Sequence, residues 1–73
     1  MTPLREIDYK LLILVERETE FIGTAPTTLI EDLEIDSLDF IELLQTIRAE
    51  IGEVDEKLAM KARTLGDLMA AIT

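Results

Sequence analysis

An all-α fold, a small antiparallel bundle of three to four helices with a long loop between the first and second, is predicted by three observations. Apolar residues recur at helical spacing in three separate segments, and no segment alternates apolar and polar as a half-buried strand would. Hydrophobic residues make up 48% of the 73, enough to fold but only into a modest core. That length predicts a single domain over residues 1–73.

The first helix is expected to open at Thr2-Pro3, with Thr as N-cap and Pro at the first helical position, where it loses no hydrogen bond. Steps of about 100° along a helical wheel place Leu4, Ile7, Leu11, Leu14, Val15 and Ile22 on one stripe. Glu18 interrupts that stripe, so the last turn is expected to splay, and Gly23 to stop the helix. From Thr24 to Ile35 there is no helical stripe. Ala25-Pro26-Thr27-Thr28 reads as a turn, and Leu29, Ile30, Leu33 and Ile35 are expected to anchor the connection to the helices. A loop of this length in so small a chain points to function.

The second helix is predicted from Asp36 or Ser37 to Ile51, with Phe40, Leu43, Leu44, Ile47 and Ile51 facing the core and Gly52 as the stop. A short third helix is expected around Glu56 to Ala62. Thr64-Leu65-Gly66-Asp67 has the capping-box pattern and starts a last helix whose Leu65, Leu68, Met69 and Ile72 share one face.

Charge narrows the function classes. Sixteen acidic residues against seven basic ones give a net charge of -9. Nucleic acid and anionic membrane surfaces are poor partners for such a chain; a basic protein surface is its complement. No apolar run approaches the roughly 20 residues of a membrane span, and the N-terminus lacks a signal-peptide pattern. The expectation is a complete, monomeric cytoplasmic protein, in keeping with the absence of cysteine. Histidine is absent too. Without His or Cys the usual general bases, nucleophiles and zinc ligands are missing, so neither a catalytic site nor a metal site is expected.

The start of the second helix, Asp36-Ser37-Leu38-Asp39-Phe40-Ile41-Glu42, holds the informative residues. A Ser at a helix start is ordinarily a cap. Asp36, however, is itself a good N-cap, and Asp39 stands three residues on, where it could bond back. With Asp36 as the cap, Ser37 falls at the first helical position and its hydroxyl faces solvent. A phosphate ester there meets unpaired backbone N–H groups and the positive end of the helix dipole. Leu38 and Ile41 lie almost opposite the core stripe, beside Glu42 and Gln45. They read either as a small docking surface rimmed by Asp36, Asp39 and Glu42, or as contacts beneath the long loop.

Glu31-Asp32-Leu33-Glu34-Ile35-Asp36-Ser37-Leu38-Asp39 followed by Ile41-Glu42-Leu43 resembles the signature of acyl carrier proteins. The closing Thr-x-Gly-Asp-Leu of Thr64 to Leu68 resembles the family as well, and the order of elements fits along nearly the whole chain. The resemblance implies that Ser37 bears 4'-phosphopantetheine, donated by coenzyme A through a separate phosphopantetheinyl transferase, with Asp36 and Leu38 beside the attachment. It implies a carrier of acyl or related thioesters for fatty-acid, lipid or polyketide-type biosynthesis. Asp36, Asp39, Glu42 and Gln45 would meet basic-surfaced acyl-transfer or synthase enzymes around Leu38 and Ile41. The chain departs from the family pattern at Glu34, where Gly is common, and at Gln45, Arg48 and Ala49, where Glu is common. It departs again at Leu58 and Met60, which replace acidic residues, and at the small Ala62. These departures imply a specialised carrier whose third helix packs differently or exposes an apolar contact.

Other classes are weighed by the same residues. A cofactor-free acidic module that docks a basic partner would leave the free Ser37 as coincidence. A calcium loop with Asp32, Glu34 and Asp36 as ligands fails, because Ser37 stands where Gly is needed and Leu43 where a bidentate Glu is needed. A serine hydrolase lacks a base to activate Ser37.

Overall fold

The computed structural model describes residues 3–72, which form four α-helices and no strand. They are α1 (Glu6–Thr19), α2 (Ser37–Glu50), α3 (Glu56–Lys61) and α4 (Leu65–Ala70). Helix α1 packs on α2 and α4, and α3 packs on α4. Leu11, Val15, Ile47, Leu65 and Leu68 are fully enclosed between them, and Leu14, Leu43, Leu44, Met69 and Ile72 complete the core. The helical stripes thus do what their spacing dictates: each turns one apolar face inward.

The boundaries of α1 differ from expectation at both ends. Residues 3–5 are not helical, so Pro3 is not the first helical residue; Thr2 lies outside the described residues. Arg5 is the N-cap instead. Its backbone N–H donates to Asp8 Oδ2 at 2.8 Å, its guanidinium donates to the same carboxylate, and Nη2 reaches the Met69 carbonyl at 2.9 Å. The reciprocal Arg5–Asp8 pairing marks the start of α1, and the long-range bond to Met69 ties it to the end of α4. At the other end α1 stops at Thr19, before Gly23, because Glu20 turns left-handed with φ 61°. The Glu16 carboxylate then accepts from Gly23 and Thr24 N–H at 2.9 and 3.0 Å, folding the chain back over the helix end. Ile22, placed on the core stripe by the wheel, is 91% exposed as a result, and Phe21 packs against the core instead. Glu18 does not splay the last turn: Arg17 bridges it to Glu50 of α2.

The long connection is held far more firmly than a free loop. Thr28 N–H closes the expected turn on the Ala25 carbonyl at 2.9 Å. A 3-10 turn over Ile30–Leu33, absent from the sequence reading, buries Leu33. Three backbone bonds then strap the loop to the α3–α4 junction: Ile30 N–H to Arg63 O at 2.8 Å, Leu65 N–H to Thr28 O at 3.0 Å, and Gly66 N–H to Pro26 O at 2.8 Å. Gly66 permits that approach, since a Cβ there would sit 3.0 Å from the Pro26 carbonyl oxygen. Of the expected anchors, Ile30 and Ile35 pack against the core and Leu29 is 38% exposed. Helix α3 is formed, capped by Asp55, whose carboxylate accepts from Leu58 N–H at 3.2 Å. Ala59 faces the core while Leu58 and Met60 point outward.

Candidate functional site

The loop strap delivers the chain to the start of α2 through one unusual backbone step, at Glu34, followed by an ordinary extended N-cap at Asp36. Glu34 is left-handed, with φ 56°, and Asp36 is extended. The left-handed region is the one glycine enters freely. Glu34, at the position where the family commonly has Gly, occupies a glycine-like conformation and carries the strain of a side chain there.

Asp36 is the N-cap: its Oδ1 accepts from Asp39 N–H at 2.8 Å. Only half of the expected capping box is present, because among the described residues the Asp39 carboxylate makes no return bond to Asp36. It borders a cleft of about 200 Å³ at the end of α1, together with Glu18, Thr19 and Glu42. With Asp36 bonding Asp39, Ser37 takes the first helical position. It is exposed, and its hydroxyl has no hydrogen-bond partner among the described residues. The N–H groups of Ser37 and Leu38 likewise have no acceptor, because Phe40 N–H is the first to be taken up by the helix, by Asp36 O at 2.9 Å.

Ser37 and Asp36 stand at the rim of an open groove of about 220 Å³ between α2 and α3, floored by Ile30, Phe40, Ala59 and Ala62 and edged by Met60. Leu38, at 71% exposure, and Ile41, at 44%, form a ridge between this groove and the cleft bordered by Asp39 and Glu42. Contact beneath the loop is not their role. Gln45, one turn beyond Ile41, is exposed as well. The structure thus keeps the sequence-predicted site residues on one side of α2 but divides them, with Ser37 and Asp36 at one recess and Asp39 and Glu42 at another. The groove-lining residues on α3 were missed by sequence reasoning as a wall of the site. Their signal was the pair of small residues Ala59 and Ala62, which leave room beside Phe40.

The residues present fit a phosphopantetheine ester. The hydroxyl is free and exposed, the first two N–H groups of the helix have no acceptor among the described residues, and a groove with Ile30, Phe40, Ala59 and Ala62 in its floor begins beside them. The acids Asp32, Glu34 and Asp36 do not converge: among the described residues no three such side chains form a group able to hold a metal ion. No described helix is long and apolar enough to cross a membrane.

Residues 10–72 match the family model described as "Phosphopantetheine attachment site". The acyl carrier protein of Rickettsia canadensis is 32% identical over 76 residues, covering 99% of this chain and 88% of the relative. That of Rickettsia typhi matches to the same extent. The acyl carrier protein of Chlamydia felis is 43% identical over 47 residues, which span 63% of this chain and 60% of the relative. No solved structure matches. A helical bundle with a free serine at a helix start, matched along nearly all its length by such relatives, belongs to the phosphopantetheine-binding acyl carrier proteins, which are carriers and not enzymes.

Proposed function

We propose that Ser37 is the residue that bears 4'-phosphopantetheine, and that residues 1–73 act as a single carrier domain for acyl or related intermediates. The observation that carries this reading is the position of Ser37: first in α2, exposed, its hydroxyl unbonded because Asp36 has taken over the cap. When bound, the arm supplies a terminal thiol that holds cargo as a thioester, a group the cysteine-free chain lacks. The protein's own part is positional. Asp36 holds the first turn so that Ser37 Oγ stays accessible, and the N–H groups of Ser37 and Leu38 favour the ester's negative charge. The groove beside Phe40 offers apolar cover next to the attachment. The tether raises the local concentration of cargo at each partner's active site.

The partners in this reading are a phosphopantetheinyl transferase and basic-surfaced acyl-transfer or synthase enzymes of fatty-acid, lipid or polyketide-type biosynthesis, met by a monomer in the cytoplasm. Asp36, Asp39 and Glu42 supply complementary charge, Leu38 and Ile41 the apolar ridge, and Gln45 its far edge. The test is the intact mass of the protein after incubation with coenzyme A and a broad-specificity transferase. A gain of one phosphopantetheine on the natural chain and none on Ser37→Ala is expected. No gain on a folded sample with several transferases would replace the carrier by a cofactor-free acidic docking module.

A further inference from the structure

The seven basic residues fall into two groups. Arg5, Lys10, Arg17 and Arg48 pair with carboxylates at 2.9, 3.5, 2.7 and 3.6 Å. Among the described residues Lys57, Lys61 and Arg63 pair with none, and all three lie within residues 57–63, which follow Glu56 in or just beyond α3 and contain no acid. Lys57 and Lys61 are one turn apart and share an open recess with Met60. Of the two acids at that recess, Glu56 is drawn to Arg48, whereas Asp55 caps α3 and keeps its charge, so the two lysines outweigh one unpaired carboxylate there. Leu58 and Met60 are 50% and 57% exposed beside these cations. In a chain of net charge -9, this is a local excess of positive charge around exposed apolar side chains.

Met60 also edges the groove that begins at Ser37, so the α3 patch is continuous with the proposed attachment site. A partner that reaches Ser37 across the acidic ridge of α2 also faces α3. A uniformly basic partner would be repelled there by Lys57 and Lys61. We infer that α3 is a second docking strip of opposite sign, for a protein partner whose surface sets carboxylates around an apolar recess that receives Leu58 and Met60. The inference rests on the carrier reading and adds to it a partner with a two-signed face, basic over α2 and acidic over α3. The net acidic charge of the chain and the two-turn length of α3 favour a protein over a lipid surface.

The test uses two synthetic amphipathic helical peptides, one with Glu around Leu and its counterpart with Lys around Leu. Each is titrated at low salt into isotope-labelled protein and followed by amide shifts. The acidic peptide is expected to move residues 56–62 and the basic peptide residues 36–45. Lys57→Glu/Lys61→Glu should weaken the acidic peptide about tenfold while leaving the basic one unweakened. Leu58→Ser/Met60→Ser should weaken the acidic peptide to a similar degree. Absent shifts, shifts elsewhere, or variants that bind the acidic peptide as the natural chain does would overturn the strip. Cosedimentation with phosphatidylglycerol vesicles, abolished by the lysine reversals, would assign α3 to a lipid surface and overturn the protein partner. Loading by the transferase, measured on the same sample, separates the two failures. An unloadable chain removes the carrier reading, whereas a loaded chain with an inert α3 removes only this inference.

Discussion

Helices α2 and α4 begin with nearly the same chemistry and end up with opposite roles. Asp36-Ser37-Leu38-Asp39 and Thr64-Leu65-Gly66-Asp67 each place a capping oxygen at the N-cap and an aspartate three residues later. At α4 the box is complete: Thr64 Oγ1 accepts from Asp67 N–H at 3.1 Å, and Asp67 Oδ2 accepts from Thr64 N–H at 3.3 Å. There the first helical residue, Leu65, is fully enclosed, and the second, Gly66, lies against the Pro26 carbonyl. At α2 only one bond of the box forms, the first helical residue is the exposed Ser37, and the second, Leu38, stands in solvent. A cap motif therefore names a helix start without saying what it is for. What surrounds the first two helical residues decides between a packed joint and an open site.

Substitutions at matching positions should pull the two helix starts apart. Ser37→Ala is expected to abolish loading outright while leaving the melting temperature within a few degrees, because the hydroxyl holds nothing in the fold. Loading of that variant would break the contrast at its functional end. Leu65→Ala, at the equivalent first position of α4, should cost about 3 kcal/mol in chemical denaturation, against less than about 0.5 kcal/mol for Leu38→Ala. Equal costs would mean that the ridge of α2 is packed after all. Gly66→Ala should lose about 1–2 kcal/mol, since its Cβ would press on backbone, which yields less readily than a side chain. If instead it raises stability, as Gly→Ala does in an unobstructed helix, the loop strap does not constrain α4.

The two smallest effects sharpen the picture. Glu34→Gly, on the approach to α2, should stabilise by about 0.5 kcal/mol, as relief of left-handed strain outweighs glycine's greater unfolded-state freedom. A loss of stability would show that the Glu34 side chain contributes more than its strain removes. The last effect is on acid stability. The N–H groups of Arg63 and Thr64 hold the Asp67 carboxyl below its ordinary range. A lowered folded-state value means that Asp67 contributes stability above the ordinary aspartate range, and that this contribution is lost as the pH falls below about 4. Thermal melts from pH 6 downward should therefore show a shallower acid decline in Asp67→Asn than in the natural chain. Identical slopes would exclude the α4 box as a contributor.

Much of this was legible in the residues. The wheel positions of Leu43, Leu44 and Ile47, the cap at Asp36 and the box at Thr64 depend on neighbours within one or two turns, and each appears as read. Ser37 at the first helical position follows from the same short-range logic. The misread features lie where side chains do what their type does not announce, or where the partner is far away in sequence. Arg5, a residue rarely found as a cap, boxes with Asp8 at the start of α1 and reaches Met69. The left-handed Glu20 ends α1, with Glu16 gathering Gly23 and Thr24 over it. The course of the loop is set by bonds to Arg63 and Leu65. The helical period that places Ile22 in the core runs past Glu20, where the helix ends.

The helical class, the capped start of α2 and the sign of the charge around Ser37 can be read from the residues alone, because periodicity, capping and charge are local properties. Packing across the bundle leaves Leu38 and Ile41 free, lets Ala59 and Ala62 open a groove beside the serine, and leaves Lys57 and Lys61 without a carboxylate partner among the described residues. Those outcomes depend on which surfaces the strapped loop and α3 cover, and a side chain is exposed or enclosed only with respect to a neighbour that folding brings.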